Sequence, residues 1–83
     1  MITDHAAVET QRRRIDESLV RTILAAPEQR HPVRQGRDVL QSRIWIEGKL
    51  YLARVFVDVD RDPAEVVTVY LTSRVGKYWE AQS

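Results

Sequence analysis

No cysteine occurs among the 83 residues. Disulfides, iron–sulfur clusters and thiolate-bound zinc are therefore excluded, and the chain suits a reducing compartment. Long apolar runs are missing too. None approaches the roughly 20 residues that a membrane-spanning helix needs. No basic start leads into an apolar stretch, so no signal peptide is read. The expectation is a soluble, cytoplasmic protein without membrane association. Charge of one sign is also lacking. Thirteen Lys and Arg face twelve Asp and Glu, a net charge of +1 that does not announce a nucleic-acid binder. There is no glycine-rich phosphate loop, no nucleophile elbow and no paired-carboxylate pattern. His5 and His31 lie too far apart in sequence to give a metal-ligand spacing.

What is present fits one small domain, residues 1–83. A chain of this size buries only about 60–65% of the surface its unfolded form exposes, so its core is thin. A site on it is expected to be a shallow groove on one face. Of the basic residues only Lys49 and Lys77 are lysines. The arginine fork suits phosphate and carboxylate, although genomes of high GC content also favour arginine.

Period-two patterning from Leu50 to Trp79 dominates the chain. Tyr51, Ala53, Val55, Val57 and Val59 alternate, then Val67, Val69 and Leu71, with Asp60-Arg61-Asp62-Pro63 between them. Upstream, Thr3 and Asp4 are credible N-caps for a helix over about 4–14, whose apolar face is only Ala6, Ala7 and Val8. Asp16 is the N-cap candidate of a second helix, about 17–26, with Leu19, Val20, Ile23 and Leu24 in one stripe and Pro27 as its stop. Strands are expected at about 30–34, 39–47, 50–59 and 65–73, with turns at Gly36 and Gly48. The tail from Val75 to Glu80 reads as a helical turn or a docked coil. The predicted fold is α+β. Two N-terminal helices pack on one face of a four-stranded antiparallel sheet, with the second helix over Val55, Val57, Val67 and Val69.

Strand alternation places Gln41, Arg43 and Trp45, then Leu52, Arg54 and Phe56, then Thr68, Tyr70 and Thr72 on the face away from that core. Arg54 is expected at its centre, with Arg43 to one side and Thr68 or Tyr70 to the other. Such a cluster can hold an RNA phosphate and stack a base on Trp45, Tyr70 or Phe56. The plainer alternative is a half-exposed sheet face with arginine stems lying over aromatic rings. His5, in the first turn of a helix, can shuttle protons near neutral pH, or it is a surface histidine near a cap. Arg30, His31, Arg34 and Arg37 form a basic run that can steer RNA, meet an acidic partner or simply be solvated. Asp58-x-Asp60-x-Asp62 opens like a calcium loop but has Pro63 and Val69 where that loop needs Gly and Glu.

The order Asp4-His5, Arg13-Arg14-Ile15, Leu19-Val20, Pro27, Arg54-Val55, VVTVYLTSRVGKYW resembles the small bacterial domain of unknown function 4258. That family is grouped with the RelE/ParE-like toxin superfamily. The resemblance runs from His5 to Trp79 and is most specific in the last segment. It implies a RelE/ParE-like toxin fold and the toxin component of a toxin–antitoxin pair. It further implies a metal-independent endoribonuclease that acts on mRNA and needs no cofactor. The implied partners are an RNA substrate, free or on the ribosome, and a cognate antitoxin; a homodimer stays open. By position the resemblance makes His5 a general acid or base, Arg54 a phosphate clamp, and Thr68 and Tyr70 groups that orient phosphate or stack a base. Lys77 adds charge, and Thr72 belongs to the same segment. Arg43 and Trp45 join as substrate-binding residues from strand geometry alone. The rival reading is a non-catalytic module that binds protein or nucleic acid through the same face.

Overall fold

The computed structural model describes residues 15–80. Helix α1 spans Glu17–Ala25. Strands β1 (Gln29–Arg34), β2 (Arg37–Ile46), β3 (Lys49–Asp58) and β4 (Glu65–Thr72) follow, and a single-turn helix α2 (Val75–Tyr78) comes last. α1 begins where Asp16, in extended conformation, accepts a hydrogen bond from the Ser18 N–H at 2.9 Å. That bond satisfies one of the amides a helix start leaves unpaired, and Glu17 complements the positive end of the helix dipole. The N–H of Ala26 closes the last turn on the Thr22 carbonyl, and Pro27 cannot continue it.

The strands form one antiparallel meander in the order β1-β2-β3-β4. Glu47 (φ 50) and Gly48 (φ +80) make the β2–β3 turn. Two consecutive positive φ angles have the hand that matches strand twist. One sheet face carries Leu40, Ala53, Val55, Val57, Val66 and Val69, closed over by Ile15, Val20 and Ile23. Fully burying one such Val or Ile contributes about 1.5–3 kcal/mol.

The expected two-helix layer is corrected. Among the described residues only α1 covers that face, lying over β2 and β3. The helix expected over 4–14 falls outside the described residues, as does His5. The other helical piece, α2, follows β4 and serves the opposite face. Among the described residues this one helix is long enough to match the width of the sheet. A helix of nine residues is about 13.5 Å long, close to the roughly 14 Å between the outer strands of a four-stranded sheet.

A second correction lies in β4. Val57 pairs with Val66, whereas Phe56 pairs with Thr68, so Val67 is an additional residue absorbed by a bulge. Val66, not Val67, is therefore the core residue. An extra residue shifts the period-two alternation by one, and pattern reading cannot see it. No helix among the described residues is long and apolar enough to cross a membrane.

Candidate functional site

The register lines up four polar residues in one row across the second sheet face. Gln29 pairs with Gln41, Gln41 with Arg54, and Arg54 with Tyr70. Their side chains are linked in the same order. The Gln41 amide donates to Gln29 Oε1 at 2.8 Å. Arg54 Nε donates to Gln41 Oε1 at 2.9 Å, and Arg54 Nη1 donates to the Tyr70 hydroxyl. This differs from the expected arrangement, because Arg43 pairs with Leu52 and so sits one row away from Arg54.

The tail docks on this row. Gln41 Nε2 also donates to the Tyr78 carbonyl at 3.0 Å. Gln29 Nε2 donates to the Glu80 carbonyl at 2.7 Å, and the Glu80 N–H returns to Gln29 Oε1 at 3.1 Å. The Tyr78 ring covers the Arg54 guanidinium at 4.4 Å, with Phe56 at 5.2 Å and Tyr70 at 5.6 Å. Phe56 and Tyr70 are stacked, and Tyr78 meets Tyr70 edge-on. Gln41 is wholly buried, and Arg54 is 9% exposed.

No carboxylate among the described residues comes within ion-pair distance of Arg54. The aromatic faces offset part of the cost of taking its charge from water. Five N–H donors belong to a guanidinium; Gln41 and Tyr70 engage two, leaving three. Nη2 has no protein acceptor among the described residues. Since no buried side-chain nitrogen there lacks a partner, Nη2 is not fully sealed from solvent. Among the described residues the arrangement is a fixed cation hydrogen-bonded to neutral groups, with Nη2 left without a protein acceptor. Chemically, that is a receptor for an anion.

The other expected site residues scatter. Thr68 lies one row below, opposite Phe56. Arg43 is engaged in a fork with Glu28, at 3.2 Å to Oε1 and 3.1 Å to Oε2, and stacks on Trp79 at 4.2 Å. That hydrogen bonding holds the Glu28 carboxyl below its usual range and pushes the Arg43 guanidinium above its own. Trp45 is 71% exposed and four residues along β2 from Gln41. The Thr72 hydroxyl accepts from the Arg74 N–H at 3.0 Å, a local turn bond. Lys77 reaches the Tyr78 ring at 5.3 Å.

Three of the four residues of the basic run face carboxylates, and Arg34 donates to the Gln35 carbonyl at 3.2 Å. Strand pairing sets Arg30 on Asp38 (2.9 Å) and Arg37 on Asp58 (2.6 Å), and the docked tail brings Glu80 to 3.5 Å from His31. The Arg37 hydrogen bond holds the Asp58 carboxyl below its usual range. Asp58 is thus a partner for arginine, and among the described residues no cluster of His, Cys, Asp and Glu is placed to hold a metal ion. Gln29, Gln41 and Tyr78 are the site residues that charge patterning does not reveal. The one signal for Gln41 is a neutral amide on a strand between Leu40 and Ile44. No protein-family model, curated protein or solved structure matches the chain.

Proposed function

We propose that the chain is an RNA-cutting toxin of a bacterial toxin–antitoxin pair, acting in the cytoplasm, with Arg54 clamping the phosphate under attack. The observation that carries this reading is the buried Arg54 guanidinium, without a carboxylate partner among the described residues and open at Nη2. A cation held in this way favours an anionic ligand, and the oxygens of a phosphodiester fit the guanidinium fork. In the proposed reaction the ribose 2′-hydroxyl attacks the adjacent phosphorus and the next nucleotide's 5′-oxygen leaves, producing a 2′,3′-cyclic phosphate. Negative charge grows on the phosphorane oxygens, where preorganised N–H donors stabilise it. Gln41 and Tyr70 fix the direction of those donors. The resemblance of VVTVYLTSRVGKYW to toxin-like domains supports the substrate class, and His5 is its candidate for moving the protons.

Gln41 favours a second reading, a non-catalytic module that binds nucleic acid or protein. The amide that holds Arg54 neither gains nor loses a proton at neutral pH.

The deciding experiment incubates the chain with a defined single-stranded RNA, with and without EDTA and with and without ribosomes, and identifies the product ends. Cyclic phosphate ends that persist in EDTA are expected. Cutting should fall about 100-fold or more in Arg54→Lys, by analogy with loss of one oxyanion donor. RNA that is bound but never cut would establish the binding module, and RNA that is neither bound nor cut would refute both readings.

A further inference from the structure

The segment from Val75 to Glu80 has a construction unlike the rest of the fold. Arg54 and Gln41 beneath it are buried, yet no residue of α2 is itself buried. The strap is laid on the sheet, not built into it. Its anchors are few and fall on two sheet residues. Gln29 holds Glu80 through two bonds, and Gln41 holds the Tyr78 carbonyl through one. Beside these bonds lie aromatic contacts: Tyr78 over Arg54 and edge-on to Tyr70, and Trp79 against Arg43. His31 approaches Glu80 from the same sheet face. Exposed hydrogen bonds and little buried apolar area mark a segment that opens locally without global unfolding.

The strap also borders the space that a ligand at Arg54 Nη2 would use. With Nε and Nη1 turned toward Gln41 and Tyr70, the Tyr78 ring closes one face of the guanidinium plane. A nucleotide whose phosphate reached Nη2 would bring its sugar and base against Tyr78.

Resting on the reading of Arg54 as a phosphate clamp, we propose that Val75–Glu80 is an autoinhibitory strap. It covers one face of the Arg54 guanidinium in the free protein and lifts from the Gln29–Gln41 row when RNA binds. The strap shares its anchoring row with the site, so release of Glu80 and Tyr78 uncovers the guanidinium without disturbing the bonds that aim it.

The test uses the full chain and two variants that loosen the strap from opposite sides. Glu80→Pro removes the N–H that bonds Gln29. Trp79 already has the extended backbone, φ −72 and ψ 121, that a following proline requires. Gln29→Ala removes both bonds to Glu80 from the sheet side, together with one acceptor of the Gln41 amide, so Glu80→Pro is the cleaner of the two. Phenylglyoxal labelling, mapped by mass spectrometry, reads the accessibility of each arginine without any RNA, and thermal unfolding confirms that both variants fold. Arg54 should label more slowly than exposed Arg21 in the native chain and at least about tenfold faster in Glu80→Pro, with Arg21 unchanged. RNA affinity should rise in parallel. An unchanged Arg54 rate in both variants overturns the strap, whatever RNA does. Faster labelling with weaker RNA binding also overturns it, because Tyr78 would then be a wall of the site and not its cover. Faster labelling with no RNA binding in any form leaves the strap standing and removes the RNA reading alone.

Discussion

Replacing Gln41 by leucine removes the hub of the polar row while keeping similar bulk, and the structure sets the size of the loss. Gln41 accepts one bond from a guanidinium and donates two, to Gln29 and to the Tyr78 carbonyl. A hydrogen bond to a charged group contributes about 1.5–3 kcal/mol and each neutral one about 0.5–1.5 kcal/mol. Their sum is about 2.5–6 kcal/mol, because the partners left behind are themselves shielded from water. Against this, a buried leucine side chain returns about 1.5–3 kcal/mol of apolar burial at best. Gln41→Leu should therefore destabilise by on the order of 2 kcal/mol. For a domain of this size that lowers the thermal midpoint by about 8–16 °C. Circular dichroism melts and urea titrations of the two proteins measure it. A loss under about 1 kcal/mol would show that the row is not a coupled network and that Arg54 finds its bonds elsewhere.

Gly36→Ala should destabilise more than Gly48→Ala. Both glycines have positive φ, near +80°, which a Cβ disfavours by about 1–2 kcal/mol, but only at Gly36 would the new atom lie 2.6 Å from Asp60 Oδ2; the two melts decide it. Asp58→Asn should lower stability at neutral pH, and the difference should vanish in acid. The folded-state carboxyl of Asp58 titrates below its ordinary range, so its stabilisation is full above the unfolded value and is lost as pH falls through the folded one. Urea midpoints at several pH values would show this, and a gap that persists in acid would contradict the Arg37 partnership. Trp45→Ala should change stability by under about 0.5 kcal/mol because the ring is exposed. If Trp45 stacks a base, RNA affinity should fall about tenfold, consistent with 1–3 kcal/mol per stacked base.

Parts of this architecture are legible in sequence for physical reasons. Asp16 before an apolar stripe marks the start of α1, because few side chains can accept a first-turn amide. Ala53, Val55 and Val57 at alternate positions mark β3, because a half-buried strand sorts its faces by polarity. Arg54 stands out as the charge on the other face of that run. The rest depends on register and chain topology, which a linear pattern does not carry. The bulge at Val67 leaves no mark in hydrophobicity. Nor does anything local tell that Gln41, rather than Arg43, sits across from Arg54, or that Asp38 and Asp58 return to neutralise Arg30 and Arg37. The helical layer is not legible in the same way, because an absence of helix breakers says what a segment can form and not what it packs against.

The polar row also bears on how the sheet avoids assembling wrongly. Strand faces interchange with every one-residue slip. A slip of β3 against its neighbours would turn Arg54 toward Val20 and Ile23, where no acceptor waits, and would leave a valine facing Gln41. Valine-rich strands pair readily in many alignments, and their apolar contacts discriminate weakly among them. A single buried cation that finds its acceptors in one alignment only makes each wrong alignment unfavourable by several kcal/mol. The residue placed to hold a ligand thereby acts as a proofreading mark for the meander. Replacing it by a neutral side chain would trade away fidelity of folding as well as the site.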